Sequence, residues 1–372
     1  LSGIYIHIPF CRKACDYCDF HFSTSPGLKG RMISAICREL ELRSQKDWVI
    51  RTVYFGGGTP SLLSAGELQA IMEAVSANYS VSQDAEITFE ANPDDITKAS
   101  LNNWKKAGIN RLSVGVQSFI NRDLRYMGRI HDSAKAEESI EMAMDAGIHN
   151  INVDLIYGTP GLTPAEWEMN LKKAVSLGVS HISAYALTVE ENTPLFHRIR
   201  KKQKAAPDEN VTADQFIFLS QFLQEQGYEH YEVSNFCKPG MHSRHNSSYW
   251  EGLPYWGIGP SAHSFDGQKR RMNVANNARY IKSLEDENTL LFEEEILTGD
   301  DHYNEFLLTR LRTSKGLNRK DFERRFSTGE WVSLLEELDG LPKEFLVITE
   351  EGIHLSREGL LHADGIAAGL FR

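Results

Sequence analysis

Six short β-rich runs alternate with segments of helical spacing over the first half of this 372-residue chain, and that alternation limits its fold more than any other feature. The runs are 3–8, 52–55, 86–90, 111–117, 150–157 and 181–188. Between them, 28–43 places Met32, Ile36 and Leu40 on one helical face, and 65–77 follows Ser64 with Glu67 three residues on, a capping box. Segments 98–107, 133–146 and 164–177 complete the helical set. Ala107-Gly108, Ala146-Gly147 and Leu177-Gly178 read as helix stops, each before a new strand. The repetition predicts an α/β fold with a parallel sheet and outer helices. Doubly wound sheets and TIM-like barrels share the pattern, and six units instead of eight would leave a barrel open. Both architectures gather site residues at strand C-terminal ends, where this chain has Pro9-Phe10-Cys11, Gly56-Gly57-Gly58, Glu90, Gln117 and Asp154.

After residue 188 the pattern changes. The run RIRKKQK at 198–204 is basic and suits a solvated face. Segment 211–226 reads as a helix stopped by Gly227, 228–265 is rich in aromatics and glycine, and 285–301 is acidic. From residue 302 the chain looks helical again, with a hairpin at 344–355 around Glu350-Glu351-Gly352. The expected division is a core barrel over 1–235, a connecting region over 236–290 and a C-terminal helical, winged-helix-like module over 291–372. Forty basic against 51 acidic residues give a net charge of −11, which disfavours nucleic acid as a partner. No run of about 18 apolar residues occurs, so no transmembrane helix is expected. The N-terminal LSGIYIHIPFC lacks a basic segment and a small-residue cleavage site, so no signal peptide is expected either. Five cysteines make an odd count and a poor disulfide framework, consistent with a reducing compartment, the cytoplasm.

Three of those cysteines form Cys11-x-x-x-Cys15-x-x-Cys18, directly after the first strand. Three thiolates on one short loop can hold three irons of a cubane cluster and leave the fourth open to a small chelating cofactor. Zinc is the metal alternative, although a structural zinc asks for four closing ligands. Three reduced cysteines without metal is the plainer reading. The triple glycine at 56–58, followed by Thr59-Pro60-Ser61, either makes a strand-end turn or lets a ligand approach the backbone; without Gly-Lys-Ser/Thr it is no P-loop. Glu90, Gln117 and Asp154 suit ribose hydroxyls, and Arg129 suits a carboxylate or a surface ion pair.

The cysteine spacing, with Tyr17 before the last cysteine, resembles the radical S-adenosylmethionine (SAM) superfamily, and the later motifs follow in that family's order. The resemblance implies a [4Fe–4S] cluster on Cys11, Cys15 and Cys18, with SAM chelating the open iron. It implies that Gly57, Gly58 and Thr59 serve the methionine end of SAM. Tyr5, Tyr17, Glu90, Gln117, Arg129, Asp154 and Ala186 match further SAM-site positions. The whole chain, tail included, is similar to the group containing the oxygen-independent coproporphyrinogen III dehydrogenases and the heme chaperones. The dehydrogenase branch carries a further cysteine two residues after the third; here that residue is Phe20, as in the chaperone branch. The dehydrogenases also carry a longer N-terminal extension over their substrate, which is not expected here because the first strand starts at about residue 3. His245-Asn246-Ser247-Ser248-Tyr249-Trp250 matches the chaperones' HNxxYW motif, so His245, Tyr249 and Trp250 are candidate heme contacts. A packed, hydrogen-bonded loop histidine is the plainer reading of His245. The resemblance therefore implies heme as ligand and an acceptor apo-hemoprotein, free or membrane-associated, as partner, with an electron donor if SAM is cleaved. Coproporphyrinogen dehydrogenation and radical chemistry on another substrate are the enzymatic alternatives. The 198–204 run could attract heme propionates. Cys37 reads as a small core residue. Cys237, His242 and His263 could bind zinc, though their spacing fits no standard finger.

Overall fold

The computed structural model of the chain describes residues 2–372. Six parallel strands lie side by side in sequence order: β1 (Ser2–Ile8), β2 (Gln45–Gly57), β3 (Tyr79–Ala91), β4 (Arg111–Gln117), β5 (Ile151–Tyr157) and β6 (His181–Ala186). Helices α1 (Lys29–Leu42), α2 (Ala65–Asn78), α3 (Lys98–Lys106), α4 (Asn121–Met127), α5 (Ser133–Asp145) and α6 (Pro164–Ser176) connect them. Each unit is the right length for a βα crossover, and the unbroken order 1-2-3-4-5-6 is that of a barrel instead of a doubly wound sheet. Local signals work as read. Ser64 Oγ accepts from the Glu67 N–H at 3.3 Å, and Glu67 returns a carboxylate to the Ser64 N–H at 2.7 Å. The chain turns left-handed after the helices at Gly108, Gly147 and Gly178.

Strands β2 and β3 are longer than the β-rich runs foretold, because their N-terminal halves also pair, through Gln45–Ile50 and Tyr79–Val81. The barrel does not close on itself. Past β6 come α7 (Pro194–Arg200), α8 (Glu209–Glu225) and the hairpin β7 (Glu229–Glu232)–β8 (Asn235–Cys237), with β8 antiparallel to β6. Past β1, the strand β9 (Tyr255–Ile258) pairs parallel and leads to β10 (His263–Phe265), β11 (Lys269–Asn273) and β12 (Phe292–Ile296). The result is one twelve-stranded sheet with the six parallel strands at its centre. The segment 236–290 therefore extends the barrel's sheet through β8 to β11 and carries the short helix α9 (Arg244–Trp250) and α10 (Asn277–Glu285).

The strands alternate with period two. Ile4, Ile6, Val53, Phe55, Phe89, Leu112, Val114, Val153 and Ile182 point outward, fully buried under the helices. Positions between them face the lumen and are polar: Tyr5, Tyr54, Glu90, Arg111, Ser113, Asn152, Asp154, His181 and Ser183. A closed eight-stranded barrel packs its lumen with branched apolar side chains. This open barrel lines its lumen with hydrogen-bonding groups and keeps a cavity. The C-terminal part runs α11 (Gly299–Leu311), β13 (Leu317–Asn318), α12 (Arg319–Arg325), α13 (Thr328–Leu338), β14 (Leu346–Ile348) and β15 (Gly352–Leu355), a winged-helix-like order. Phe306, Phe322, Phe326 and Trp331 pack in edge-on or tilted pairs at its core. Among the described residues no helix is long and apolar enough to cross a membrane.

Candidate functional site

A single cavity of about 580 Å³ occupies the lumen, from the cysteine loop at the C-terminal strand ends to α9 at the opposite end. Fifteen of the sixteen predicted site residues line it: Cys11, Cys15, Cys18, Tyr5, Tyr17, Gly57, Gly58, Thr59, Glu90, Gln117, Arg129, Asp154, Ala186, His245 and Tyr249. Trp250 does not; its ring lies 5.4 Å from the Arg312 guanidinium.

The cysteine loop leaves β1 at Pro9 and is tied back to the barrel at several points. Cys11 N–H donates to Ser23 O, Asp16 N–H to Met127 O, and Leu195 N–H to Asp16 O. The Asp16 side chain is buried and forms ion pairs with Arg198 and Lys204. The basic run 198–204 is thus no uniform solvated face, because two of its cations clamp the loop between Cys15 and Tyr17. The three thiols are half-buried and free. Cys11 Sγ accepts from Thr59 Oγ1, and Cys15 Sγ from Arg129, both at 3.4 Å. Burial pushes the Cys18 thiol up to about 11 and raises Cys11 as well.

The spread of these thiols discriminates between metals. Two thiolates on one zinc stand at most about 4.6 Å apart, twice the Zn–S bond. Among the described residues, Glu229, Cys237 and His242 bring their ligand atoms within 4.8 Å of one another, while the three loop thiols form no such group. In this conformation the loop thiols stand wider than one tetrahedral ion would hold them, a spread compatible with a polynuclear cluster. Glu229 and Cys237 face each other across β7–β8, and the turn at Gly240 returns His242 to them; His263, on β10, is outside the group. Cys37 is half-buried and packs against the core.

The glycines beside the loop serve the protein's own packing. Gly57 holds φ +105°, and a Cβ at Gly58 would come within 2.7 Å of Phe10 O. The triple glycine lets the end of β2 lie against the entry of the cysteine loop, so its backbone and the thiols border one space. Gln117, at the end of β4, holds φ +66°, a left-handed conformation uncommon for a residue with a Cβ, and its side chain borders the cavity.

Two carboxyls stand in mid-lumen. Glu90 accepts from Tyr54 OH at 2.8 Å, and burial raises it to about 8. Asp154 accepts from Asn152 Nδ2 at 2.7 Å and Ser113 Oγ at 3.2 Å, and burial raises it to about 6. Both keep lone pairs free for a ligand's hydroxyls. Arg129 follows α4; its guanidinium donates to Asn92 Oδ1 at 2.6 Å and Gly115 O at 2.8 Å, beside the thiols, so it is no surface pair.

At the other end, Arg244 and His245 at the start of α9 donate their N–H groups to Glu86, both at 3.0 Å. The His245 ring stacks on Tyr54 with centroids 5.0 Å apart. Its Nδ1 bonds Thr52 Oγ1 and its Nε2 bonds Tyr249 OH, each at 2.8 Å. Burial lowers this histidine to about 3, so it is neutral. The packed, hydrogen-bonded reading of His245 describes this conformation.

The family description "Radical SAM superfamily" matches residues 5–174, and "HemN C-terminal domain" matches 297–362. A Mycobacterium tuberculosis protein named heme chaperone HemW is 38% identical over 85% of this chain and 82% of its own length. The Bacillus subtilis protein of that name is 32% identical over 97% of both chains. This chain belongs to the HemW family. The coproporphyrinogen III oxidase HemN of Escherichia coli, a radical SAM enzyme, shares the fold with a TM-score of 0.85 at 24% identity, covering all of this chain and 90% of that one.

Within this HemW-family chain, sequence reasoning missed several lumen groups: Arg111, Ser113, Asn152, His181 and Tyr54. The signal was present as alternation. In Arg-Leu-Ser-Val-Gly-Val-Gln and Ile-Asn-Val-Asp-Leu-Ile-Tyr every second residue is apolar and buried, which turns the residues between toward the lumen.

Proposed function

We propose that this chain is a heme chaperone of the radical SAM class. Cys11, Cys15 and Cys18 hold a [4Fe–4S] cluster, SAM occupies the lumen, and heme is bound and handed to an acceptor apo-hemoprotein, free or membrane-associated, in the cytoplasm. Phe20 carries the reading: it is 68% exposed at the cavity rim, where the dehydrogenase pattern asks for a fourth thiol. The curated relatives at 32–38% identity, named heme chaperones, support the same branch.

In this reading the cluster, when bound, supplies an electron to the sulfonium, drawn from an external donor if SAM is cleaved. Everything else is the work of this chain. Glu90 and Asp154 accept from ribose hydroxyls. Arg129, fixed by Asn92 and Gly115, takes the methionine carboxylate. The backbone of Gly57, Gly58 and Thr59 borders the amino group, and Tyr5, Tyr17, Gln117 and Ala186 complete the walls. His245 and Tyr249, which line the cavity, are proposed heme contacts, whereas Trp250 lies outside it. His245 becomes available to iron only after its bonds to Thr52 and Tyr249 open, so in the closed state it meets a ligand by ring packing alone.

The fold shared with HemN and the two lumen carboxyls favour dehydrogenation of coproporphyrinogen III as the second reading. One anaerobic experiment separates them. Cluster-loaded protein is given heme and an apo-hemoprotein in one arm, and coproporphyrinogen III, SAM and reductant in the other. Heme transfer without protoporphyrinogen is expected; protoporphyrinogen formation without transfer would reverse the order.

A further inference from the structure

Arg111 opens β4 at the closed end of the lumen. It is 2% exposed, yet no hydrogen bond or ion pair from any protein group reaches its guanidinium among the described residues. Its Nε is enclosed without a partner. Its register partner on β3, Thr88, is fully buried, and Thr88 Oγ1 also lacks a partner. Two adjacent buried groups with unmet hydrogen-bonding capacity are costly in a folded chain, and every neighbouring lumen residue avoids that cost. Asp154 is held by Asn152 and Ser113, Glu90 by Tyr54, Glu86 by α9, and His181 by Asn152 and Tyr231. Burial keeps His181 and His245 neutral, so they neither repel nor replace an anion here.

A buried guanidinium presents a planar fork of donors matched to two carboxylate oxygens. Arg111 lies two residues before Ser113 and four before Gly115 on the same lumen face, about 7 and 13 Å deeper at 3.3 Å per residue. The methionine-end position at Arg129, which bonds Gly115 O, is therefore at a different depth.

We propose that the closed end of the lumen is a carboxylate-binding subsite, with the cavity-lining Arg111 guanidinium as its fork. The subsite rests on the cavity and, for its natural occupant, on the heme reading: a propionate is the carboxylate a porphyrin would bring to this depth, next to His245, while SAM is absent from the lumen. The same chemistry could come from a free carboxylate or from SAM itself, and the probes separate these sources.

The experiment compares wild type, Arg111→Gln and Arg111→Lys. Sodium propionate at matched ionic strength against chloride should raise the wild-type Tm and leave that of Arg111→Gln unmoved. Heme should bind wild type at least tenfold more tightly than Arg111→Gln, with Arg111→Lys between, while heme dimethyl ester should bind all three alike. SAM affinity should agree within twofold. If propionate acts through Arg111 but heme does not bind at all, the subsite stands and the heme reading falls. If SAM alone loses affinity in Arg111→Gln, the subsite stands with SAM as its occupant. Should Arg111→Gln fail to fold, wild type and Arg111→Lys carry the test. No difference between propionate and chloride, with heme and its ester bound alike by wild type, overturns the proposal.

Discussion

The two ends of the lumen are built in opposite ways. At the C-terminal strand ends, three half-buried thiols and the glycine-lined backbone border open space with bonding capacity to spare, and Arg129, held by Asn92 and Gly115, lines the same space. At the closed end, His245, Glu86, His181 and Tyr231 are buried, and each is bonded to a protein group: the His245 ring to Thr52 and Tyr249, Glu86 to the α9 backbone, His181 to Tyr231. Open capacity marks where a ligand is received, whereas satisfied capacity marks where the barrel is sealed. Arg111 and its neighbour Thr88 are exceptions inside the sealed end, and of the two only Arg111 borders the cavity, which makes it informative.

The comparison breaks most sharply at the cysteines. Replacing Cys11, Cys15 and Cys18 together by Ala should abolish cluster iron and the broad absorbance near about 410 nm. The fold should survive, because half-exposed thiols contribute little core burial. Unchanged iron content per chain, or unfolding by circular dichroism, would merge the two ends into one class.

His245→Ala attacks the sealed end and should do the reverse. It removes two buried hydrogen bonds and leaves a cavity, a loss of about 2–4 kcal/mol in urea unfolding. Cluster content should stay at the wild-type level. A stable variant that loses its cluster would show that the ends are not separate.

Glu90 sits between them. Its acid form is favoured in the folded chain up to about 8, above the ordinary carboxylate value, so the native state holds a proton that the unfolded chain has released. Stability of the ligand-free chain should therefore fall as pH rises from about 4.5 to 8 and level off above. Ribose hydroxyls favour the carboxylate, so SAM affinity should rise over the same interval. Glu90→Gln should flatten this part of both profiles and weaken SAM about 10- to 100-fold, the worth of a hydrogen bond to a charged group. A SAM affinity independent of pH between 5 and 8 contradicts the role given to Glu90.

The smallest effect is expected at Asp16. Asp16→Asn removes the carboxylate shared by Arg198 and Lys204 and should cost about 1–2 kcal/mol, between exposed and buried ion pairs. Reconstituted clusters should also lose iron faster to a chelator, since the loop between Cys15 and Tyr17 is released. Equal loss rates would leave the clamp a purely structural feature.

Much of the barrel was legible because each βα unit announces itself locally, through the capping box at Ser64 and the glycine stops at 108, 147 and 178. The site's open end was legible for the same reason, since the cysteines are neighbours in sequence. The sealed end was not. His245 reaches Thr52 and Arg244 reaches Glu86 across more than 150 residues, and no local pattern reports such pairings. The α9 motif looked like a ligand site from its residue types, while its bonding is decided by the strands it meets. Arg111 was hidden differently: its place on the polar side of an alternating strand was readable, but its lack of a partner exists only in three dimensions.

The most direct test is a heme titration of the anaerobically reconstituted chain, followed in the Soret band with and without SAM. The account predicts a saturable shift at about one equivalent of heme per chain when SAM is absent. No saturable shift under either condition would contradict it.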